Sequence, residues 1–159
     1  MASVLEYLQG RGQVFTVIPR PRNADAGEAK PDARIPAGLV ARTVVAIGKE
    51  GLAVLVIPAS RRLELALVVD VLGDPDARLA TEEELERQFP DYDPGAVPPL
   101  SMLLLAPMYV DPAVIERGEI VFAAGRQDVS VRMSTSDLFG NDPVVVTPLT
   151  RQSRIGAHS

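Results

Sequence analysis

The sequence predicts a mixed α/β fold in one domain: a sheet of short strands flanked by short helices. Three observations predict it. β-Branched runs, such as 40–47 and 52–57, recur along the chain with Gly-containing turns between them. Capping signals of the Ser/Thr-x-x-Glu/Asp kind interrupt these runs at Ser3, Thr81 and Ser134. Strands and helices do not alternate strictly, which argues for an α/β mixture rather than a regular βαβ winding. With 159 residues, 47% of them hydrophobic, the chain is long enough for a single sizeable core.

Each element follows from local chemistry. Ser3 and Glu6 form a capping box that opens a helix with Val4, Leu5 and Leu8 on one face, and Gly10 and Gly12 end it. Residues 14–18 read as a strand stopped by Pro19 and Pro21. Residues 20–38, rich in Pro, Gly and charge, read as a loop. Residues 40–47 and 52–57 form a hairpin around Gly48 to Gly51. Ser60 is the expected cap of a helix over 61–72, with Leu63, Leu67 and Val71 aligned and Gly73 as its end. A short strand over 78–80 precedes a helix opened by the Thr81/Glu84 box and closed at Pro90. Residues 103–110 read as a strand that bends at Pro107. Pro112 starts a short helix to about Glu116. Strands over 119–123 and 129–133 are joined across 125–128. Ser134 with Asp137 starts another helix, and 144–146 is a last short strand. The domain is expected to span 1–149, with 150–159 as a frayed tail.

Composition removes several kinds of chemistry. There is no Cys, so disulfides and thiolate metal sites are excluded. The one His, His158, lies in the polar tail, a poor place for a Ser-His-Asp triad. Aromatics are 4% of residues and Trp is absent, which leaves few platforms for stacking bases. The net charge of −5 argues against general affinity for nucleic acid. Its distribution is uneven, however: residues 1–62 carry nine Lys or Arg against five acids. That half could present a basic face including Arg20, Arg22, Arg34, Arg42, Arg61 and Arg62, or an ordinary solvated surface. No basic leader with an apolar run and no membrane-length apolar stretch is read, so the expected location is the cytoplasm.

Motifs for nucleotide phosphates or for zinc-binding His pairs are missing. Glu82, Glu83 and Glu84 suit the start of a helix, where the dipole favours acids. Asp70, Asp74 and Asp76 bracket a turn. The segment from Gly95 to Pro99 is more informative. Its prolines stiffen the backbone, and its glycine lets N–H groups approach a ligand, which suits an oxyanion or carbonyl site as well as a plain turn.

With these segments in order, the chain resembles the YbaK/EbsC family, related to the editing domain inserted in some prolyl-tRNA synthetases. The resemblance runs from about Ser3 to Asp137. IPAGLVARTVV at 35–45 is similar to the family's VAKTVV strand. RRLEL at 61–65 follows the second hairpin strand, and LATEEEL at 79–85 looks like the family's helix start. GAVPP at 95–99 fits a G-x-x-x-P loop, and Val110-Asp111 and Ala124-Gly125 follow in the expected order.

The resemblance implies a curled mixed sheet flanked by short helices, and hydrolysis of a mischarged aminoacyl-tRNA by a positioned water. It implies catalytic roles for Arg42, Gly95 and Pro99, and substrate contacts from Arg20, Ala96, Val97, Ser101, Gly125 and Gln127. It implies no metal and no cofactor, the acceptor end of an aminoacyl-tRNA as partner, and an aminoacyl-tRNA synthetase as a possible second one. Four positions depart from the family pattern. Arg42 stands in the lysine slot, and Arg20 where a His is common. Gln127 replaces a His, and Leu100-Ser101 replaces an aromatic-Gly pair. Each also has a plain reading: Arg42 as a surface ion pair, 95–99 as a turn, Gln127 as a hairpin residue. The alternative to a hydrolase is a silent module that keeps the fold and binds a tRNA end, a nucleotide or a protein.

Overall fold

Ser3 opens the first helix as its spacing to Glu6 predicts: each residue's side chain accepts the other's backbone N–H, at 3.1 and 2.9 Å. The structure, a computed structural model, describes residues 3–19, 22–23, 28–29, 35–140 and 143–151. Helix α1 (Val4–Gly10) is followed by β1 (Thr16–Pro19) and a two-residue pair, β2 (Arg22–Asn23) with β3 (Glu28–Ala29). After a 3-10 turn at Ala37–Leu39 come the hairpin strands β4 (Ala41–Gly48) and β5 (Gly51–Pro58). Next are β6 (Arg62–Leu63), α2 (Leu65–Leu72), β7 (Arg78–Leu79) and α3 (Glu82–Gln88). A 3-10 turn at Pro94–Ala96 leads to α4 (Ser101–Leu104), β8 (Met108–Val110) and α5 (Pro112–Glu116). The chain continues through β9 (Glu119–Ala123), β10 (Val129–Ser134), α6 (Thr135–Phe139), β11 (Val144–Val146) and β12 (Thr150–Arg151).

The strands form a mixed sheet, as expected. Five run in the order β11-β8-β5-β4-β7, with β5, β8 and β11 parallel and β4 antiparallel to both neighbours. Three more, β1-β10-β9, are antiparallel. One parallel bridge, Val40 to Val121, carries the second sheet onto the start of β4. Strand β5 is buried on both faces, which explains its near-continuous apolar run. Val54 and Val56 enter the large core with Leu8, Leu100, Phe122 and Val131. Leu55 and Ile57 enter a smaller core with Ala46, Val68 and Leu149.

Three expectations are corrected. Ser60 does not cap a helix; the helix starts at Leu65, with Glu64 as its N-cap. Arg62 and Leu63 are held extended by pairing with Arg151 and Thr150, so the backbone cannot turn helical until they are passed. The strand expected over 103–110 is a one-turn helix, then a reversal, then β8. Leu105 N donates to Ser101 O at 2.7 Å, Leu105 takes a left-handed φ of 55°, and Pro107 has no N–H to continue a ladder. The frayed tail does not begin at 150: Thr150 and Arg151 pair with β6, and Leu149 is fully buried. The rest of that tail lies outside the described residues. Among the described residues no helix is long and apolar enough to cross a membrane.

Candidate active site

Side chains alternate across a strand, and this rule sorts the residues around the Val40–Val121 junction. On one face Ala41, Val45, Ile120, Phe122, Val131 and Met133 fill the large core. The other face carries Val40, Arg42, Val121, Ala123 and Ser130, which with Ala41, Thr43 and Phe122 line a cleft of ≈ 160 Å³. Gly95 and Val97 close one side of it. The sheet thus turns a polar, partly open face toward the proline-containing loop.

That loop is fastened to the β9–β10 turn by a chain of hydrogen bonds. Ala96 N donates to Asp93 O at 2.8 Å, Asp93 N to Gly125 O at 2.8 Å, and Gly125 N to Ala96 O at 2.9 Å. Gln127 N donates to the Asp93 carboxylate at 2.9 Å. Pro98 and Pro99 are buried beneath the loop. The amide nitrogen of the Gln127 side chain lies so close to Gly95 that a Cβ there would sit 2.9 Å from it. Gly125 adopts φ 92°, and the Tyr92 ring packs over it. Burial pushes the Tyr92 phenol above its ordinary pKa, with Asp91 adding to the effect, so it stays neutral at neutral pH.

The electrostatics single out one cation. Arg132 shares the cleft face of β10 with Ser130, but its guanidinium is bound to Glu119 at 2.9 Å. That pairing holds the Glu119 carboxyl below its usual range and raises Arg132. Arg42 is exposed at the cleft and, among the described residues, has no carboxylate partner. No carboxylate is among the described residues that line the cleft. The arrangement therefore favours an electron-rich group, such as a carbonyl or a phosphate, beside Arg42.

The residues expected at the site are only partly brought together. Arg42, Gly95 and Val97 meet at the cleft. Ala96, Gly125 and Gln127 stand behind it as the fastening of the loop. Pro99 is buried in the loop's base and is not part of the cleft lining. Ser101 lies elsewhere, beside Met102, Leu105 and Pro107 around a separate apolar depression. Arg20 lies outside the described residues. The acidic clusters have structural uses. Asp74 accepts from Lys49 N at 2.7 Å and from Asp76 N at 2.9 Å, clamping two turns. Glu84 completes the α3 capping box and pairs with Arg78 at 2.8 Å. Among the described residues no group of His, Asp or Glu is placed to hold a metal ion.

Sequence reasoning missed Ser130. It is 1% exposed, lines the cleft, and its hydroxyl has no hydrogen-bond partner among the described residues. In the sequence it is a small polar residue within an apolar strand, and only the β4–β9 junction shows which face it occupies.

A family model described as an aminoacyl-tRNA editing domain matches residues 21–140. Among solved structures, the chain is similar to a protein provisionally described as a trans-editing enzyme for prolyl-tRNA synthetase, at 24% identity and a TM-score of 0.75. That match covers 91% of this chain and 92% of the other. A hypothetical protein matches at 22% identity and a TM-score of 0.78, over 93% of this chain and 99% of its own. A scaffold protein used for epitope backbone grafting matches at 21% identity and a TM-score of 0.79, over 94% and 95% of the two chains. These likenesses show a shared fold. Among curated proteins nothing matches the chain.

Proposed function

The chain belongs to the aminoacyl-tRNA editing domain family, and from that membership we propose that it hydrolyses the ester of a mischarged aminoacyl-tRNA. The observation that carries this reading is the meeting of Arg42 with the Gly95–Val97 loop at one small cleft. Pockets for drug-sized ligands run upward from roughly 300 Å³. A cleft of ≈ 160 Å³ suits the acyl group and its ester, with the nucleotide lying outside.

The chemistry follows from what lines the cleft. No imidazole or carboxylate stands among the described lining residues to activate a side-chain nucleophile. Water then attacks the ester carbonyl carbon. The carbonyl oxygen takes up negative charge, stabilised by the Arg42 guanidinium and by the backbone N–H of Gly95. The bond to the ribose oxygen breaks, that oxygen takes a proton from the attacking water, and a free amino acid and an intact tRNA end are released. Holding the ester against a positioned water supplies the rest of the acceleration. Partnership with an aminoacyl-tRNA synthetase and a cytoplasmic location fit this reaction, because tRNA is charged there.

Binding without turnover is the second reading. It is favoured by Arg42 itself, whose forked, bulky guanidinium stands where resembling sequences carry lysine. One assay separates the two. Purified protein is incubated with a panel of mischarged tRNAs beside an Arg42→Ala variant. Hydrolysis above the blank is expected for at least one small aminoacyl group, and Arg42→Ala should lower kcat about 100-fold, the usual scale for removing an oxyanion stabiliser. If no charged tRNA loses its amino acid at micromolar protein, the hydrolase reading is overturned.

A further inference from the structure

Ser130 lines the cleft with a hydroxyl that has no partner among the described residues, although buried polar groups in folded proteins are nearly always hydrogen-bonded. Both neighbours of its strand are in place: Ser130 pairs with Ile18 on β1 and with Ala123 on β9. Its backbone is thus fixed, and the side chain alone is left over. Two residues beyond the Val40–Val121 bridge stand Arg42 on β4 and Ala123 on β9, and Ala123 pairs with Ser130. Arg42, Ala123 and Ser130 thus follow one another in a row over three neighbouring strands, and all three line the cleft. Strand spacing puts the two ends of that row about 10 Å apart.

The ends of this row are chemically unlike. A guanidinium only donates hydrogen bonds, whereas a hydroxyl can accept them. Two of the lining side chains carry hydroxyls, Thr43 and Ser130. Of these two, only Ser130 is buried with a hydroxyl that has no partner among the described residues. An aminoacyl ester has matching polarity. Its carbonyl is electron-rich, and its α-amino group is a donor that Arg42 repels.

We infer that Ser130 is a positioning residue whose hydroxyl accepts a hydrogen bond from the α-amino group of the bound aminoacyl ester. The substrate lies along the row, ester carbonyl toward Arg42 and amino group toward Ser130, and small Ala123 leaves room between them. This inference rests on the deacylase reading of the same cleft.

Two probes test it without needing turnover: 3′-deoxy-3′-(alanylamido)adenosine and its propionylamido counterpart, which lacks only the amino group. Their Kd values are measured with the wild-type chain and with Ser130→Ala, and thermal melting checks that the variant folds. A hydrogen bond to a charged group predicts a loss of about 10- to 100-fold on removing either partner. Wild-type protein should bind the alanyl probe more tightly than the propionyl probe by that factor. Ser130→Ala should bind both equally and weakly, so that the two losses do not add. A merely structural role would shift both probes together and leave their ratio unchanged, which overturns the inference. Kinetics on charged tRNA then separate the two readings. If Ser130→Ala hydrolyses at the wild-type kcat/KM, the amino-group contact is wrong and the deacylase stands. If the probe ratio collapses as expected but no tRNA is hydrolysed, the contact stands and the deacylase falls. If the alanyl probe does not bind wild-type protein, the amino-group contact is overturned, and hydrolysis of charged tRNA alone decides the deacylase.

Discussion

Two glycines near the cleft make opposite demands on their neighbours. Gly95 has ordinary backbone geometry, and a Cβ on it would meet only the movable end of Gln127, 2.9 Å away. Gly125 holds φ 92°, and a Cβ there would press on the Tyr92 ring at 3.1 Å and on Val4 at 3.4 Å. Gly95→Ala should therefore melt close to wild type while its deacylation falls about tenfold or more, because the methyl group displaces the Gln127 amide and shifts the loop that closes the cleft. Gly125→Ala should lose about 1–3 kcal/mol of stability from the strained backbone alone, measured by urea titration. Equal melting of the two variants would contradict this division. The family resemblance marked Gly95 as catalytic and Gly125 as a substrate contact. Only the bond from Gly125 N to Ala96 O shows that Gly125 supports the loop from behind.

Elements were legible where their signal is local. The capping boxes at Ser3 and Thr81, the Ser134 cap on Asp137 and the β4–β5 hairpin are all found as read, because each is decided within a few residues. Strand β6 and helix α4 were not. The first exists because residues some ninety positions later pair with it, and the second because a left-handed Leu105 reverses the chain. Helix α3 offers a pH test. Its Glu84 accepts from Thr81 N at 2.9 Å and grips Arg78 through two bonds, and these hold its pKa down at about 2. The Arg78 bond is the larger cause and the Thr81 backbone bond the next. A depressed carboxyl pKa contributes stability above the unfolded value of 4.5, lost as pH falls from there toward 2. Unfolding measured between pH 6 and pH 2 should therefore show a steeper acid loss for wild type than for Glu84→Gln. Parallel curves would show that the exposed pair contributes nothing to folding.

At the scale of the molecule, the last described strand ties together parts that are far apart in sequence. Asp111 is buried and caps α5 by accepting from Ala113 N at 2.9 Å. Its other carboxylate oxygen accepts from Leu149 N, Thr150 N and the Thr150 hydroxyl, at 2.9, 3.0 and 2.9 Å. Leu149 completes the small core between β5 and α2, and Glu64 N donates to its carbonyl at 2.9 Å. These contacts hold residues 149 and 150 to the fold, and composition could not reveal them, because a polar C-terminal sequence reads the same whether or not its first residues are pinned. Two truncations place the boundary. Ending the chain after Arg151 keeps every one of these bonds, and ending it after Pro148 removes Leu149 and strips three donors from a buried carboxylate. Burial of one leucine is worth about 1.5–3 kcal/mol, and hydrogen bonds to a charged group add roughly 1.5–3 kcal/mol each before relaxation. The shorter chain should therefore lose at least about 4 kcal/mol relative to the longer one, a large part of the 5–15 kcal/mol typical of a domain. Asp111→Ala in the longer chain should reproduce much of that loss. Equal denaturant midpoints for the two truncations would show that the domain is complete at Pro148 and that the Asp111 clamp is dispensable.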